Sequence, residues 1–94
     1  LDPPKFGRGP KGEVWEFYRW LPTLLDACRS ILSQQAVFMI LTAYAVKASS
    51  ITLYNAFNEI LHERKGVIEA GEVGLTEKSA GRTLSLAVFA RWRR

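Results

Sequence analysis

Few residues in this chain have the type and spacing to do chemistry. The single histidine, His62, follows Glu59 at three positions and is itself followed by Glu63 and Arg64. A Glu-x-x-His pair on one helix face ligates metal in helical bundles, but such sites draw further ligands from facing helices. One pair leaves most of a coordination sphere empty. His62 therefore reads as part of a polar helix end, where His62 and Arg64 favour the negative C-terminal dipole. The single cysteine, Cys28, supports neither an internal disulfide nor a cysteine-based zinc site. It stands among Leu24, Leu25, Ile31 and Leu32 and reads as a small buried hydrophobe. A lone thiol suits a reducing, intracellular setting. No serine or cysteine nucleophile has a second histidine to draw on. The glycines are read as forming neither a phosphate-cradling GxxxxGK[ST] nor a GxGxxG pattern. The expectation is a protein that is not an enzyme, with no catalytic residue, metal or cofactor.

Charge is the next source of function. The 94 residues carry a formal charge of +4, with a sequence pI near 9.6. Residues 1–20 hold four cations and three anions, residues 21–62 two of each, and residues 63–94 seven cations and four anions. The surplus thus sits in the last third, ending in Arg91, Arg93 and Arg94. A basic tract of this kind favours nucleic acid, an anionic membrane surface or an acidic protein. Arg64, Lys65, Lys78, Arg82, Arg91, Arg93 and Arg94 are the candidate nucleic-acid contacts, because phosphate recognition needs cations that release counterions.

The elements that must position these groups read as follows. Residues 1–12, LDPPKFGRGPKG, hold three prolines and three glycines and are expected to form an extended basic arm, with the single domain over 13–94. Trp15, Phe17, Tyr18 and Trp20 are grouped in a short stretch; they roof a small core or stack on a partner. Pro22 is placed to open the next helix. Thr23 to Lys65 contains no proline or glycine, and Gly66 then supplies a stop. Apolar residues recur there at steps of three and four, in two adjacent stripes. One helix of that length would reach about 65 Å, so two or three helices are expected, with a break near Lys47–Ser50 capped by Ser49 or Ser50. A second break is open at Ser33–Gln35. Beyond a turn-rich 67–74, alternation around Val73–Leu75 and Leu84–Val88 favours a C-terminal β-hairpin over a helix starting at Thr76. The fold class expected is mainly α: a compact helical domain with an N-terminal arm and a C-terminal hairpin.

Residues 36–57 carry one charge, Lys47, in a stretch about long enough to cross a bilayer. Lys47 near its middle opposes that reading. The order helix, helix, helix, hairpin with a basic end is similar to winged helix-turn-helix domains. On that likeness Ile51–Arg64 is the recognition helix, with Asn55, Asn58 and His62 to read base edges, and Lys78–Arg82 is the wing. The reading is a non-enzymatic nucleic-acid-binding module. The alternative is a small accessory subunit of a larger, membrane-bound complex with residues 36–57 embedded or docked. In either case the wide apolar face makes a partner, whether nucleic acid, protein subunits, membrane or further copies, more expected than an isolated monomer. Leu1 in place of a methionine suggests a processed or truncated product, without a signal-peptide layout at its start.

Overall fold

The computed structural model describes residues 1–94. Its elements run β1 (Phe6–Arg8), β2 (Val14–Glu16), α1 (Phe17–Ile31), β3 (Phe38–Ala43), α2 (Ser50–Leu61), β4 (Val67–Thr76) and β5 (Thr83–Arg93). β1 and β2 pair as a small antiparallel hairpin. The other three strands form an antiparallel sheet in the order β3-β5-β4. The fold is mixed α and β, which corrects the expected mainly α class.

The correction centres on residues 36–43. Ala-Val-Phe-Met-Ile-Leu-Thr-Ala is a continuous apolar run, and periodicity alone does not separate a buried strand from a buried helix segment. Its β-branched and aromatic content (Val37, Phe38, Ile40, Thr42) suits a pleated surface. The stretch forms β3, so the expected helical run over 23–65 is cut by a strand. The stretch read as a membrane segment, 36–57, is a short strand, a loop and the larger part of α2. No helix is long and apolar enough to cross a membrane.

Both helices start where a cap allows. Glu16 accepts from the Tyr18 and Arg19 backbone N–H groups at 3.1 and 3.0 Å, so α1 begins before Pro22 rather than at it. Pro22 lies inside α1. Ser49 accepts from the Thr52 N–H and opens α2, at the break expected near Lys47–Ser50.

The core is a single layer between the helices and one sheet face. α1 gives Phe17, Leu21 and Leu25; α2 gives Leu53, Phe57 and Leu61. The sheet answers with Met39, Leu41 and Ala43 from β3 and Ala90 and Trp92 from β5. The period of two explains the choice: Met39 pairs with Trp92 and Leu41 with Ala90, so these side chains share a face. α2 buries Leu53, Phe57 and Leu61 in this core. The order of elements is helix, strand, helix, hairpin, so the similarity to winged helix-turn-helix domains does not hold.

The opposite sheet face has no helix. Glu69 lies directly across from Arg91 in the ladder. Arg91 donates to Glu69 Oε2 at 2.7 Å, and Arg93 Nε lies 3.5 Å from the same oxygen. The hydrogen bond from Arg91 holds the Glu69 carboxyl below its ordinary range, helped by the charges of Arg91 and Arg93.

Gly66 joins α2 to β4 at φ 143°, a region L side chains rarely adopt. A Cβ there would stand 2.6 Å from Trp92 Nε1 and closer still to the Arg93 carbonyl oxygen. Gly66→Ala is expected to cost about 2 kcal/mol or more from backbone strain and overpacking together. Chemical denaturation measures it, and an unchanged midpoint would contradict the role given to Gly66. The Glu69 pairing has its own signature. A depressed carboxyl contributes stability that is complete above the ordinary glutamate value of 4.5 and is lost as pH falls through the lower folded value. Melting temperature followed from pH 7 downward should show a smaller acid-side decline in Glu69→Gln than in the parent; identical curves would show that the pair contributes nothing.

Candidate active site

The first residues of the chain are fastened to β3. The Leu1 amino group donates to the Ile40 carbonyl at 2.8 Å, and the Thr42 N–H donates to the Leu1 carbonyl at 2.9 Å. Bonds from one residue to the two flanking Leu41 on the other strand make a parallel rung. Leu1 therefore runs alongside β3 in the same direction, on the edge that β5 does not use. From Leu1 the chain passes through the β1–β2 hairpin and α1 before it enters β3. A strand position, a helical crossover and a parallel strand are the parts of a βαβ unit.

In open sheets built from such units, ligands bind outside the carboxyl ends of the strands. Here those ends are Asp2 after Leu1 and Tyr44 after β3. The Thr42 hydroxyl donates to Asp2 Oδ1 at 2.6 Å, which fixes the carboxylate at this edge. Beyond it, the Trp15 indole N–H donates to the Pro4 carbonyl at 2.6 Å and the Phe17 N–H to the Lys5 carbonyl at 2.9 Å. Tyr44 is 51% exposed. Ala45 follows at φ 55°, the only non-glycine residue with positive φ. Such conformations persist where surrounding contacts enforce them, often at functional sites. Here the Tyr18 hydroxyl accepts from the Lys47 N–H and ties the loop to the first turn of α1. Next to this edge a cleft of about 630 Å³ opens between the β1–β2 hairpin and α1, with Pro4, Trp15, Trp20 and Leu24 among its walls. The arrangement offers a fixed carboxylate and a phenol at the ends of the two parallel strands, with an aromatic cleft beside them.

Of these residues only the aromatic group with Trp15, Tyr18 and Trp20 was singled out from the sequence, as roofing a core or stacking on a partner; Asp2, Thr42 and Tyr44 were not. Asp2 lay in a stretch read as a loose arm, and Thr42 and Tyr44 lay in one read as helix. The available signal was the break at Lys47–Ser50 just behind an apolar run. The string Gly7-x-Gly9-x-x-Gly12 does match the spacing of a dinucleotide-binding loop. It forms the turn between β1 and β2, whereas that motif requires a turn from strand into helix.

The seven cations proposed as nucleic-acid contacts fall into three places. Lys78 and Arg82 lie at the tip of the β4–β5 hairpin, where Arg82 donates to both Glu77 oxygens at 2.7 and 3.0 Å. That contact holds the Glu77 carboxyl low and the Arg82 guanidinium high. Arg91 and Arg93 face Glu69 on the open sheet face. Arg64, Lys65 and Arg94 meet at the opposite end of β3 from Tyr44, where they line one cleft. The structure does not gather the seven into one surface. His62 Nδ1 lies 2.7 Å from the Glu59 carbonyl, at the end of α2.

No protein-family model matches the chain. No curated protein matches it either. Among solved structures it is similar to the crystal structure of a SAM-dependent methyltransferase from Agrobacterium tumefaciens, at 43% sequence identity and a TM-score of 0.93. The match covers 98% of this chain and 31% of that protein, so the chain spans about a third of the length of its relative. This likeness overturns two expectations, the nucleic-acid-binding or accessory-subunit function and the absence of an enzymatic role. Reasoning from residues missed it because a parallel edge and a strand inside an apparent helix leave no motif behind.

Proposed function

We propose that this chain is one wall of a SAM-dependent methyltransferase: the piece that carries the edge of the sheet and closes one side of the cofactor cleft. The observation that carries this reading is the match over 98% of the chain at 43% identity and TM-score 0.93. At that level a large minority of the side chains, and not the backbone course alone, is identical to that protein's. The parallel rung at Leu1 supports it, because β3 then has room for a parallel neighbour belonging to the remainder of such a sheet. The partner expected from the sequence is, on this reading, that remainder.

The residues at the rim suit S-adenosylmethionine on one side. The cofactor carries a sulfonium cation, and the Asp2 carboxylate and the Tyr44 ring are groups that favour a cation nearby. Asp2 and Tyr44 are the residues that would hold it from this wall, and when bound it supplies an electrophilic methyl group. The contribution of the chain itself is orientation: Thr42 fixes the Asp2 carboxylate, and Tyr18 fixes the loop that carries Tyr44. The acceptor of the methyl group is not part of this reading.

A graft tests it. This chain, substituted for the matching third of the Agrobacterium enzyme, should give a cooperatively folded protein that binds S-adenosylmethionine within roughly tenfold of the parent, or about 1.4 kcal/mol. The parent enzyme lacking that third serves as the control and should not bind. A graft that folds but shows no calorimetric binding would overturn the reading.

A further inference from the structure

The second place where charged groups converge is far from Asp2 and Tyr44. It lies where the turn after α2 meets the end of β5, at the Phe38 end of β3, across the sheet from the candidate active site. Gln34, Glu63, Arg64, Lys65, Trp92 and Arg94 line a cleft there of about 380 Å³. We propose that this cleft binds a small phosphate-type oxyanion, independently of any methyltransferase role.

Three observations carry the assignment. First, the guanidinium groups are held in place without being neutralised. Arg64 donates to the Ser33 carbonyl at 2.9 Å and to the Leu32 carbonyl at 2.7 Å, and Arg94 donates to the Gln34 carbonyl at 2.7 Å. These are carbonyl partners, so both side chains keep their full charge and most of their N–H groups. Arg64 is braced further, with its guanidinium carbon 6.0 Å from the Trp92 ring centroid. The ordering entropy of two long side chains is thus met by the fold before any ligand arrives.

Second, three cations without a carboxylate partner line one cleft. Arg29, Arg82, Arg91 and Arg93 each have a carboxylate within 4 Å, whereas Arg64, Lys65 and Arg94 have none. Glu63 is the single carboxylate side chain at the rim, and its Oε1 lies 3.8 Å from His62 Nε2. The cleft keeps a net positive charge.

Third, one residue that lines the cleft carries an unpaired donor. Trp92 is 2% exposed, and its indole N–H has no hydrogen-bond partner. An oxyanion is the ligand class that a site of this composition lacks. A planar guanidinium matches two oxygens of a tetrahedral phosphate better than it matches a halide.

The experiment titrates the 15N-labelled 94-residue chain with inorganic phosphate at constant ionic strength, replacing chloride. The Trp92 indole resonance and the Lys65 amide report from the cleft. Both should shift saturably, and Lys65→Gln and Arg94→Gln should each weaken binding roughly tenfold, the scale of one charged hydrogen bond. Lys65 is exposed, so its variant should melt like the parent. Lys78→Gln removes an equal charge at the hairpin tip and should leave binding unchanged. A second titration uses methyl phosphate. Binding with equal affinity identifies a phosphate monoester group as the ligand, and binding of inorganic phosphate alone identifies the free ion. Shifts that never saturate, or an equal loss in Lys78→Gln, would mean diffuse charge screening and would overturn the site.

Discussion

The rung between Leu1 and β3 is the contact on which the rest of this structure depends. It is only two backbone hydrogen bonds, from Leu1 to Ile40 and from Thr42 to Leu1. Its direction decides what the sheet is. β5 and β4 follow β3 as antiparallel neighbours, as in many small sheets that stand alone. A parallel contact on the other edge makes β3 an interior strand in kind, since parallel pairs belong to sheets with helical crossovers. The same rung brings Asp2 beside Thr42, sets the carboxyl ends of two strands together, and so creates the rim at which a ligand would bind.

The distribution of apolar surface agrees with an interior strand. One face of the sheet is sealed by α1 and α2. The other presents Phe38 at 60% exposure and Val67 at 49%, with the Glu69–Arg91 pair between neighbouring strands. Parallel sheets usually carry helices on both faces, so a half-covered sheet with an apolar edge strand is the form expected of one part of a doubly wound layer. The pull of sequence toward a partner, first read from a broad apolar stripe, has a structural form here: the open edge of β3 and the uncovered face behind it.

Several features were legible in the residues and others were not. The break at Lys47–Ser50 and its serine cap were readable because capping chemistry is local. The alternation around Leu75 and Leu84 pointed to a hairpin for the same reason. β3 was hidden because its residues are apolar on both faces, so the run Phe38–Ala43 shows no alternation and reads as well as helix. Pro22 misled because the helix starts at the Glu16 cap six residues earlier, and Phe17 and Leu21, ahead of the proline, are already buried in the core. The candidate rim could not be seen at all. Asp2 and Thr42 are 40 residues apart and meet only through the crossover, and single residues at such separation leave no local pattern. The cations were visible one by one, but only the fold sorts Arg91 and Arg93 into ion pairs and leaves Arg64, Lys65 and Arg94 together.

The central claim is that β3 becomes an interior strand once the remainder of a methyltransferase sheet is present. Ile40 reports on it directly. Its carbonyl accepts from Leu1, so its N–H points to the same open edge, where a complete parallel neighbour would supply the next acceptor. Amide hydrogen exchange at Ile40 should be fast in the 94-residue chain and slower by orders of magnitude in a protein that joins the chain to the rest of the sheet. Equally fast exchange in both would contradict the account, because β3 would then remain an edge in the assembled enzyme.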